Sequence, residues 1–361
     1  MLEIKKILLK DLLRFIQSEE YKQFEVVPIT PQRAKSFMEN PRSLPDDIVL
    51  YLGFSEGKLV AFRSLFADLV STKDVVLRFA WCSGNWVHPK YRRKGFSRQL
   101  LNEAYSDWEG RLMFTNYAPN SERLYLQTGK FHTIHHFNGV RGYLFPKMRK
   151  LVGVAGKNRI FKFVFSFIDI FISAVSSIRI FFYHYKESNK TSFETTEFPD
   201  KQCFEYLKTT NRNDLFNRKE AELKWIFEYP WISSTDKENK ERYPFSSYSS
   251  AFYYHTVKIF QKGDFEGFFI FSVREGHLKT LFFCYSKKME KEIANYLKKV
   301  SVSNKIEVIT INNSEISEIF FNQKFPFLRT KKFGQKIYSS FQLPSGELYQ
   351  FQDGDGDVFF T

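Results

Sequence analysis

Residues 92–97, Arg-Arg-Lys-Gly-Phe-Ser, combine three cationic side chains with a glycine in one short stretch. A run typical of a strand precedes them, and an amphipathic run typical of a helix follows. In such a strand-to-helix turn the backbone N–H groups converge on one point, and the helix start adds the positive end of a dipole. Gly95 allows a ligand to come close where a Cβ would intrude. These residues predict a site for the phosphates of a di- or polyphosphate.

The alternative is a basic helix N-terminus without a ligand. Three cations at that position oppose the dipole of the helix, because its N-terminal end already carries partial positive charge. A bound anion would remove this conflict, so the phosphate site is the favoured interpretation.

The elements predicted around the turn alternate between strands and helices. Residues 48–70 predict two strands joined by a turn, and residues 75–89 predict another strand. Residues 97–110 place their apolar side chains on one face of a helix that stops at Gly110. The N-terminal residues 1–20 predict an amphipathic helix rather than a signal peptide, because charges interrupt their apolar run.

The formal net charge of +14 is distributed unevenly along the 361 residues. Residues 147–190 carry 9 Lys and Arg against 2 Asp and Glu, which is half of the excess, whereas residues 191–361 carry 24 against 23. A nucleic-acid-binding surface would spread its basic side chains and interleave aromatic ones. No nucleic acid is therefore expected as a partner.

Residues 158–186 have helical spacing, with a narrow polar stripe and a wide apolar face. Charges at Lys162, Asp169 and Arg179 disfavour a transmembrane span. Two interpretations stay open: a linker helix buried between two domains, or a helix lying on an anionic membrane surface. Three regions follow, listed in chain order: an N-terminal domain (1–146), a basic amphipathic linker helix (147–190) and a C-terminal domain (191–361).

The C-terminal domain repeats the order of elements of the first. Residues 251–286 predict three strands, residues 287–300 predict a helix, and a further strand follows. No glycine occurs at the turn before this helix. The three cysteines, Cys82, Cys203 and Cys284, form no metal or disulfide pattern, which suits a reducing cytoplasm.

The turn at 92–97 resembles the acetyl-CoA-binding motif of the GNAT acetyltransferases, which reads Arg or Gln, two residues, Gly, one residue, then Gly or Ala. Here the sequence is Arg92-x-x-Gly95-x-Ser97, with serine in place of the final small residue. Val87 and Pro89 stand where the family has V-x-P.

A second motif follows in the family's order. The stretch SERLYLQTGKF (121–131) resembles A-x-x-L-Y-x-x-x-G-F, with an extra Lys130. Together the motifs resemble the GNAT family over roughly residues 25–146, and further similarities resemble a subset with two GNAT-like domains. The resemblance implies an α/β (α+β) fold in which each domain is a mixed, mostly antiparallel twisted sheet flanked by helices, the C-terminal domain being degenerate.

This resemblance implies transfer of an acyl group from acetyl-CoA or another acyl-CoA to an amine, with positioning of the two reactants as the main catalytic device. Tyr125 would be the general acid that protonates the departing thiolate. A main-chain N–H near Val87 would polarise the thioester carbonyl. The predicted cofactor-binding residues are Trp86, Val87, Arg92, Arg93, Lys94, Gly95, Phe96, Ser97 and Asn120.

The general base is missing from its usual strand, since residues 80–87 contain no carboxylate. Asp46, Asp47, Asp68 and His88 are alternatives, or the amine loses its proton to water. Cys82 as a nucleophile is disfavoured because the family's chemistry is direct. No metal is expected from the histidines of residues 131–137 or from the Asp-Gly-Asp-Gly-Asp of residues 353–357, which we interpret as a docked tail.

The sequence therefore predicts an N-acyltransferase acting on a small-molecule acceptor such as an amino sugar, a nucleotide sugar or an amino-acid-like metabolite. The alternatives are a non-catalytic CoA-binding scaffold and a membrane-associated enzyme with a long-chain donor. The expected location is the cytoplasm, with peripheral contact at the inner membrane surface through residues 158–186 as the second interpretation. The C-terminal domain is expected to bind no CoA.

Overall fold

The computed structural model describes residues 2–71, 75–116, 119–147, 159–183, 190–210, 212–235, 239–286, 288–343 and 348–360, and their side chains except those of 120, 159–163 and 239. The strands are β1 Glu3–Leu8, β2 Ile48–Ser55, β3 Lys58–Ser71, β4 Val76–Val87, β5 Leu112–Thr115, β6 His132–Tyr143, β7 Thr191–Thr196, β8 Phe252–Gln261, β9 Asp264–Arg274, β10 His277–Tyr285, β11 Val308–Ile311 and β12 Arg329–Ser339. The helices are α1 Leu12–Gln17, α2 Glu19–Gln23, α3 Pro31–Met38, α4 Phe96–Asp107, α5 Pro119–Leu126, α6 Arg159–Phe181, α7 Lys201–Thr209, α8 Glu220–Glu228, α9 Asn239–Arg242, α10 Glu290–Ser303 and α11 Ser314–Asn322.

The chain forms two compact units, and neither is continuous in sequence. Unit 1 consists of Met1–His136, Lys208–Phe252 and Lys336–Thr361, and unit 2 consists of Phe137–Leu207 and Tyr253–Gln335. The domains predicted from the sequence follow chain order, whereas these units draw on both halves of the chain. That division into three consecutive regions stays a prediction.

In unit 1 the strands follow the order β1-β2-β3-β4-β5-β12. The first four are antiparallel neighbours, β5 is parallel to β4, and residues 337–339 of β12 pair antiparallel with β5. Helix α4 places Leu100, Leu101 and Ala104 in the apolar core of this sheet. The spacing of these side chains, with one helix face apolar, is what the sequence predicted.

Unit 2 repeats this pattern with the order β7-β8-β9-β10-β11-β6. Strand β11 is parallel to β10, and residues 140–143 of β6 pair antiparallel with β11. Helix α10 follows β10 as α4 follows β4, and its buried Ile293 and Leu297 belong to the core of the unit. The mixed α/β prediction is confirmed.

The predicted N-terminal helix is wrong for residues 3–8, which form β1 along the edge of β2. Pairing with β2 satisfies the backbone groups of this segment, and this tertiary hydrogen bonding prevails over its helical spacing. The helical part begins after β1, with a 3-10 turn over Leu9–Asp11 followed by α1 and α2, two short helices separated by Ser18.

Helix α6, within the predicted middle helix, is exposed along one face, so its interpretation as a buried linker is wrong. The exposed fractions are 58% for Phe167, 71% for Phe171 and 78% for Phe181. The other face packs against the rest of unit 2, to which α6 belongs. There the buried Ser176 donates to the Leu144 carbonyl, and Arg179 donates to the carbonyls of Pro326 and Phe327.

A buried ion cluster centred on Asp68 joins the separate segments of unit 1. Its carboxylate accepts hydrogen bonds from Arg42 at 2.6 Å, Arg218 at 3.1 Å and the Trp81 indole at 2.7 Å. Burial alone would raise the pKa of Asp68, but the two guanidinium groups and the indole hydrogen bond outweigh burial and lower it. The charged form is therefore part of the fold.

Substitution of Asp68 by asparagine removes the carboxylate that two buried guanidinium groups share, and leaves Arg42 with Glu222 and Arg218 with Asp355 at 3.7 Å. We expect the free energy of unfolding to fall by about 3–5 kcal/mol, because removing one member of a buried ion pair strands the other. Urea denaturation measures it. Lys10→Ala, which removes an exposed ion pair with Asp46 at 2.5 Å, serves as the control and should leave the midpoint unchanged. Equal stabilities for D68N and the wild type would contradict the expectation.

Candidate functional site

The pairing between strands β4 and β5 covers two residue pairs, and a gap opens in the sheet of unit 1 beyond them. Their pairing covers Ala80 with Leu112 and Trp81 with Met113. Against β3, the register of β4 shifts between Cys82 and Gly84, so that Ser83 is an extra residue in the strand. Such a bulge bends a strand and ends its regular pairing. The end of β4, from Ser83 to Val87, is thus free of β5.

The turn after β4 is a nest of backbone amides. Arg93 has φ +64° and Gly95 has φ +81°, both in the left-handed region, and Gly95 is the N-cap of α4. In the described part of the chain, the amide N–H groups of residues 93–97 donate to no acceptor. A Cβ on Gly95 would project into open space, with no atom within 4 Å. The glycine is therefore required by its backbone angle and not by crowding.

A cavity of about 880 Å³ lies between the end of β4, this turn and helix α5. Four arginines line it, and its lining contains no carboxylate. These arginines are Arg92, Arg93, Arg98 and Arg123. With the outward amides of residues 93–97, the cavity concentrates positive charge and hydrogen-bond donors. It suits a ligand with several phosphate groups, since guanidinium groups bind phosphate by paired hydrogen bonds.

A buried guanidinium supports the wall behind this cavity. Arg63 on β3 is fully buried and donates to the Tyr125 hydroxyl at 2.7 Å and to the Asn85 side-chain oxygen at 3.3 Å. It forms no ion pair within the described residues, and its Nε has no hydrogen-bond partner. The charge of Arg63 is thus uncompensated by protein and adds to the positive potential at the cavity.

Of the predicted cofactor-binding residues, six line the cavity: Val87, Arg92, Arg93, Gly95, Phe96 and Ser97. Trp86 and Lys94 do not. The Trp86 ring stacks on Phe62 with centroids 5.5 Å apart, and the Lys94 ammonium lies 4.8 Å from the Tyr91 ring centroid. Asn120 lies in the first turn of α5, and its side chain is outside the described residues. The binding roles of all nine stay a prediction.

Tyr125 lies behind the cavity wall and is almost completely buried. Its ring packs on Phe114 with centroids 4.2 Å apart, and its hydroxyl donates to the Cys82 thiol while accepting from Arg63. Burial raises the pKa of Tyr125, so the hydroxyl is protonated at neutral pH. That is the form a general acid needs, and its catalytic role stays a prediction.

The sequence motifs missed the part of the cavity lining that comes from α5 and from the residues flanking the turn. The missed residues are Asn85, Tyr91, Arg98, Ser121, Arg123, Leu124 and Gln127. The i, i+3 spacing of Ser121, Leu124 and Gln127 was the available signal, because it places them on one face of a helix. Nothing in the sequence showed that this face would lie opposite the turn.

The alternative bases predicted from the sequence are engaged elsewhere in unit 1. Asp68 is held in its ion cluster, Asp47 accepts from Arg78 and from the Leu44 amide, and Asp46 pairs with Lys10. His88 Nδ1 accepts from the Lys90 amide at 3.2 Å.

Two other expectations concern Cys82 and the clustered histidines. Burial raises the pKa of the Cys82 thiol, which disfavours the nucleophilic thiolate. His135 stacks on Phe351 with ring centroids 4.0 Å apart, and burial lowers its pKa to about 4. Among the described residues, no group of three or more His, Cys, Asp or Glu side chains could hold a metal ion.

Comparison with known proteins concerns the fold. No protein-family model matches the sequence, and a search of curated proteins finds no relative. A conserved protein of unknown function from Enterococcus faecalis, a probable N-acyltransferase, is 10% identical with a TM-score of 0.50, over 94% of this chain and 72% of that one. At this identity the similarity shows the fold alone, which the chain shares with that structure.

Two further structures are similar over most of this chain. A tandem GNAT protein from the clavulanic acid biosynthesis pathway is 12% identical, with a TM-score of 0.48, over 95% of this chain and 100% of that one. A GCN5-related N-acetyltransferase from Anabaena variabilis is 11% identical, with a TM-score of 0.49, over 94% and 72%.

The Gly95→Ala substitution tests the nest. The added Cβ projects into the space a ligand would occupy, so we expect CoA affinity to fall by at least about tenfold, equivalent to 1.4 kcal/mol. Isothermal titration calorimetry measures it. Gly57→Ala is a matched control, because Gly57 has φ +72° and equally open surroundings in the β2–β3 turn. Both variants should lose about 1–2 kcal/mol of stability, and only G95A should lose affinity. Equal CoA affinities in the two variants would contradict the prediction that the nest at Gly95 binds CoA.

Proposed function

We propose that this protein is an acyl-CoA-dependent N-acyltransferase. The observation that carries the proposal is the nest at residues 93–97, whose amides donate to no acceptor among the described residues and which borders a cavity lined by four arginines, beside a gap in the sheet. The diphosphate and ribose phosphate of CoA match a cavity with this many positively charged donors. The GNAT-like fold supports the same activity in general terms.

The residues of unit 1 divide the task of binding between them. The nest holds the diphosphate, and the arginines of the lining hold the outer phosphate oxygens. Bound acyl-CoA supplies the thioester whose acyl group is transferred. Backbone groups of β4 that lack β5 as a partner direct the chain of the cofactor along the strand, towards Ser83. The Arg63 guanidinium holds the Tyr125 hydroxyl and the Asn85 amide in place.

The acceptor in this proposal is the amino group of a small molecule, such as an amino sugar, a nucleotide sugar or an amino-acid-like metabolite. The acceptor side of unit 1 is built in part from the second half of the chain, since Tyr243 and Phe245 lie against β4. Tyr243 accepts from Arg33, which also donates to Ser83, and the Phe245 ring lies 3.4 Å from where a Cβ on Gly84 would be.

We expect one CoA to bind per chain. In unit 2 the turn before α10 has no glycine, and its N-cap, Met289, is right-handed with φ −96° although Lys288 is left-handed. Titration calorimetry should therefore give a stoichiometry near one, with an affinity that falls as salt rises. Arg123→Gln should weaken binding by about tenfold, the value of one charge-assisted hydrogen bond. Arg14→Gln, at an exposed position, is the control. Two sites per chain would contradict the expectation for unit 2.

Turnover separates the enzyme from a CoA-binding scaffold. Purified protein with acetyl-CoA and a panel of primary amines should release free thiol in proportion to the amine. Tight CoA binding together with the absence of amine-dependent thiol release would favour the scaffold, and a preference for long-chain acyl-CoA would favour the alternative donor.

A specific observation also favours contact with a membrane surface. One helix in the described part of the chain, over Val164–Phe181, is long and apolar enough to cross a membrane by length and composition alone. Its large exposed apolar residues form a stripe along one side of the helix: Val164, Phe167, Ile170, Phe171, Ile178 and Phe181. We propose that this stripe rests on the surface of an anionic membrane, a location that a cytoplasmic enzyme reaches from the inner side.

Liposome flotation tests this proposal. The wild-type chain should float with vesicles containing phosphatidylserine, and Phe171→Glu should reduce the bound fraction several-fold, because a charge at a 71% exposed position disrupts the apolar stripe and not the core. Ser173→Glu, also exposed on α6 but outside the stripe, is the control. Absence of wild-type binding to anionic vesicles would contradict the proposal.

A further inference from the structure

The C-terminal segment of unit 1 buries every residue from 352 to 360 except Asp357. Its last turn, Gly356–Phe360, is a 3-10 helix anchored by Phe360, whose ring stacks on Trp231 with centroids 4.5 Å apart. The expectation of a docked tail is therefore confirmed. Burial on both sides fixes the position of Asp357, while the Asp357 side chain stays partly accessible.

The Asp357 carboxylate lies between the separated ends of β4 and β5. It accepts hydrogen bonds from Thr115 Oγ1 at 3.1 Å and from Ser83 Oγ at 3.4 Å. Thr115 is two residues beyond the last β5 residue that pairs with β4, and Ser83 is the bulge residue of β4, two beyond Trp81. Both hydroxyl groups are also half-buried. The tail thus brings a carboxylate to the gap that opens between the strands.

The approach of the tail to this gap depends on Gly356. Its φ is +82°, and a Cβ at this position would lie 2.9 Å from Thr115 Cγ2. A side chain there would push the tail away from β5, so the backbone of residue 356 is fitted to this contact.

The groups around Asp357 suit a cationic amine. The Arg33 guanidinium donates to Tyr243 and to Ser83, whose hydroxyl in turn donates to Asp357, and it stacks 3.8 Å from the Trp231 ring centroid. Tyr243 and Phe245 place aromatic rings 5.4 Å apart on this side of the strand. Aromatic faces and a carboxylate together are a common environment for an ammonium group.

The distance along β4 from Ser83 to the phosphate cavity also fits the separation between the thioester and the diphosphate of CoA. Ser83 lies four residues before Val87, which corresponds to about 13 Å at 3.3 Å per residue. Val87 lines the phosphate cavity. Because the diphosphate is separated from the thioester by an extended arm, a thioester near Ser83 is compatible with phosphates at residues 93–97.

We propose that Asp357 is the catalytic residue that binds the acceptor amine and takes its proton, an inference that rests on the proposed function. The Asp357 carboxylate removes one proton from the acceptor ammonium, which leaves a neutral amine. The amine nitrogen attacks the thioester carbonyl to form the C–N bond. Collapse of the tetrahedral intermediate breaks the C–S bond, and the proton lost by nitrogen goes to the departing thiolate. Asp357 then returns its proton to water, so the products are amide, CoA thiol and one proton.

The neighbouring carboxylates of the tail do not fit this role. Asp355 is 2% exposed, and burial raises its pKa to about 8. The Arg218 Nε, 3.7 Å from Asp355 Oδ1, opposes this rise without overcoming it. Asp353 is equally buried. Of the three aspartates in the tail, Asp357 is the one that solvent and a substrate can reach.

Asp357→Asn tests the inference, with Thr115→Val as a second variant that removes one positioning hydrogen bond. Three quantities are measured for each protein: CoA affinity by calorimetry, melting temperature, and thiol release from acetyl-CoA with ethanolamine, glucosamine and an amino acid as probes between pH 6 and 10. We expect D357N to keep its CoA affinity within about twofold. Its amine-dependent rate at pH 7 should fall at least 100-fold, and the loss should shrink as pH rises and the free amine forms in solution. T115V should lose about tenfold.

Each result bears on a different claim. Failure of the wild type to bind CoA would overturn the proposed function. Full CoA binding with a D357N rate within threefold of the wild type would overturn the role of Asp357 and leave the proposed function standing. A D357N rate that is lower by the same factor at every pH would also overturn the role of Asp357, because a merely structural residue would give that result. A lower melting temperature with the predicted pH profile would support the role, since the profile reports proton transfer and not stability.

Discussion

The short pairing between β4 and β5 is the constraint on which the site depends. Parallel strands normally continue to exchange hydrogen bonds, but here the bulge at Ser83 ends the exchange after Trp81. The backbone groups beyond that point face a gap, where a ligand can replace the missing strand. The nest at Gly95 lies in the connection that leads from the end of β4 at Val87 to the start of α4 at Phe96. The cavity, the buried Arg63 and the tail at Asp357 are all arranged around this one interruption of the sheet.

The two halves of the chain both contribute to the unit that holds the site. Strand β12 pairs with β5 on the side opposite the gap, and residues 208–252 contact β4 through Phe216 on Trp81 and Phe245 beside Gly84. The buried pairing of Arg42 with Glu222 and of Arg218 with Asp68 joins these segments to the N-terminal half. The sequence repeat therefore does not correspond to two units that are each continuous in sequence. Within unit 1, the second half of the chain supplies the parts that the first half lacks.

Local sequence patterns predicted the local structure well. The strands β2 to β4, the helix α4 and the glycine of the nest follow from alternation, helical spacing and turn residues, because neighbouring residues determine them. The N-terminal strand was not predicted, since its hydrogen-bond partners on β2 are 40 or more residues away. The arginine at 123 and the carboxylate at 357 were missed for the same reason. Their positions depend on tertiary packing, and a motif search along β4 could not find a carboxylate that arrives from the tail.

The pairing of β5 with β12 has a consequence for how the chain folds during synthesis. The backbone of Leu112 on β5 donates to the side chain of Ser340, which lies 228 residues later in the chain. A ribosome must therefore translate more than 220 further residues after β5 before the edge of that strand acquires its neighbour. Until then, an unpaired apolar edge is exposed in the nascent protein, and such edges invite association with other chains. The folding of unit 1 is thus delayed until its last segment, which begins at Lys336, has been synthesised, and chaperones would protect the exposed edge during that interval.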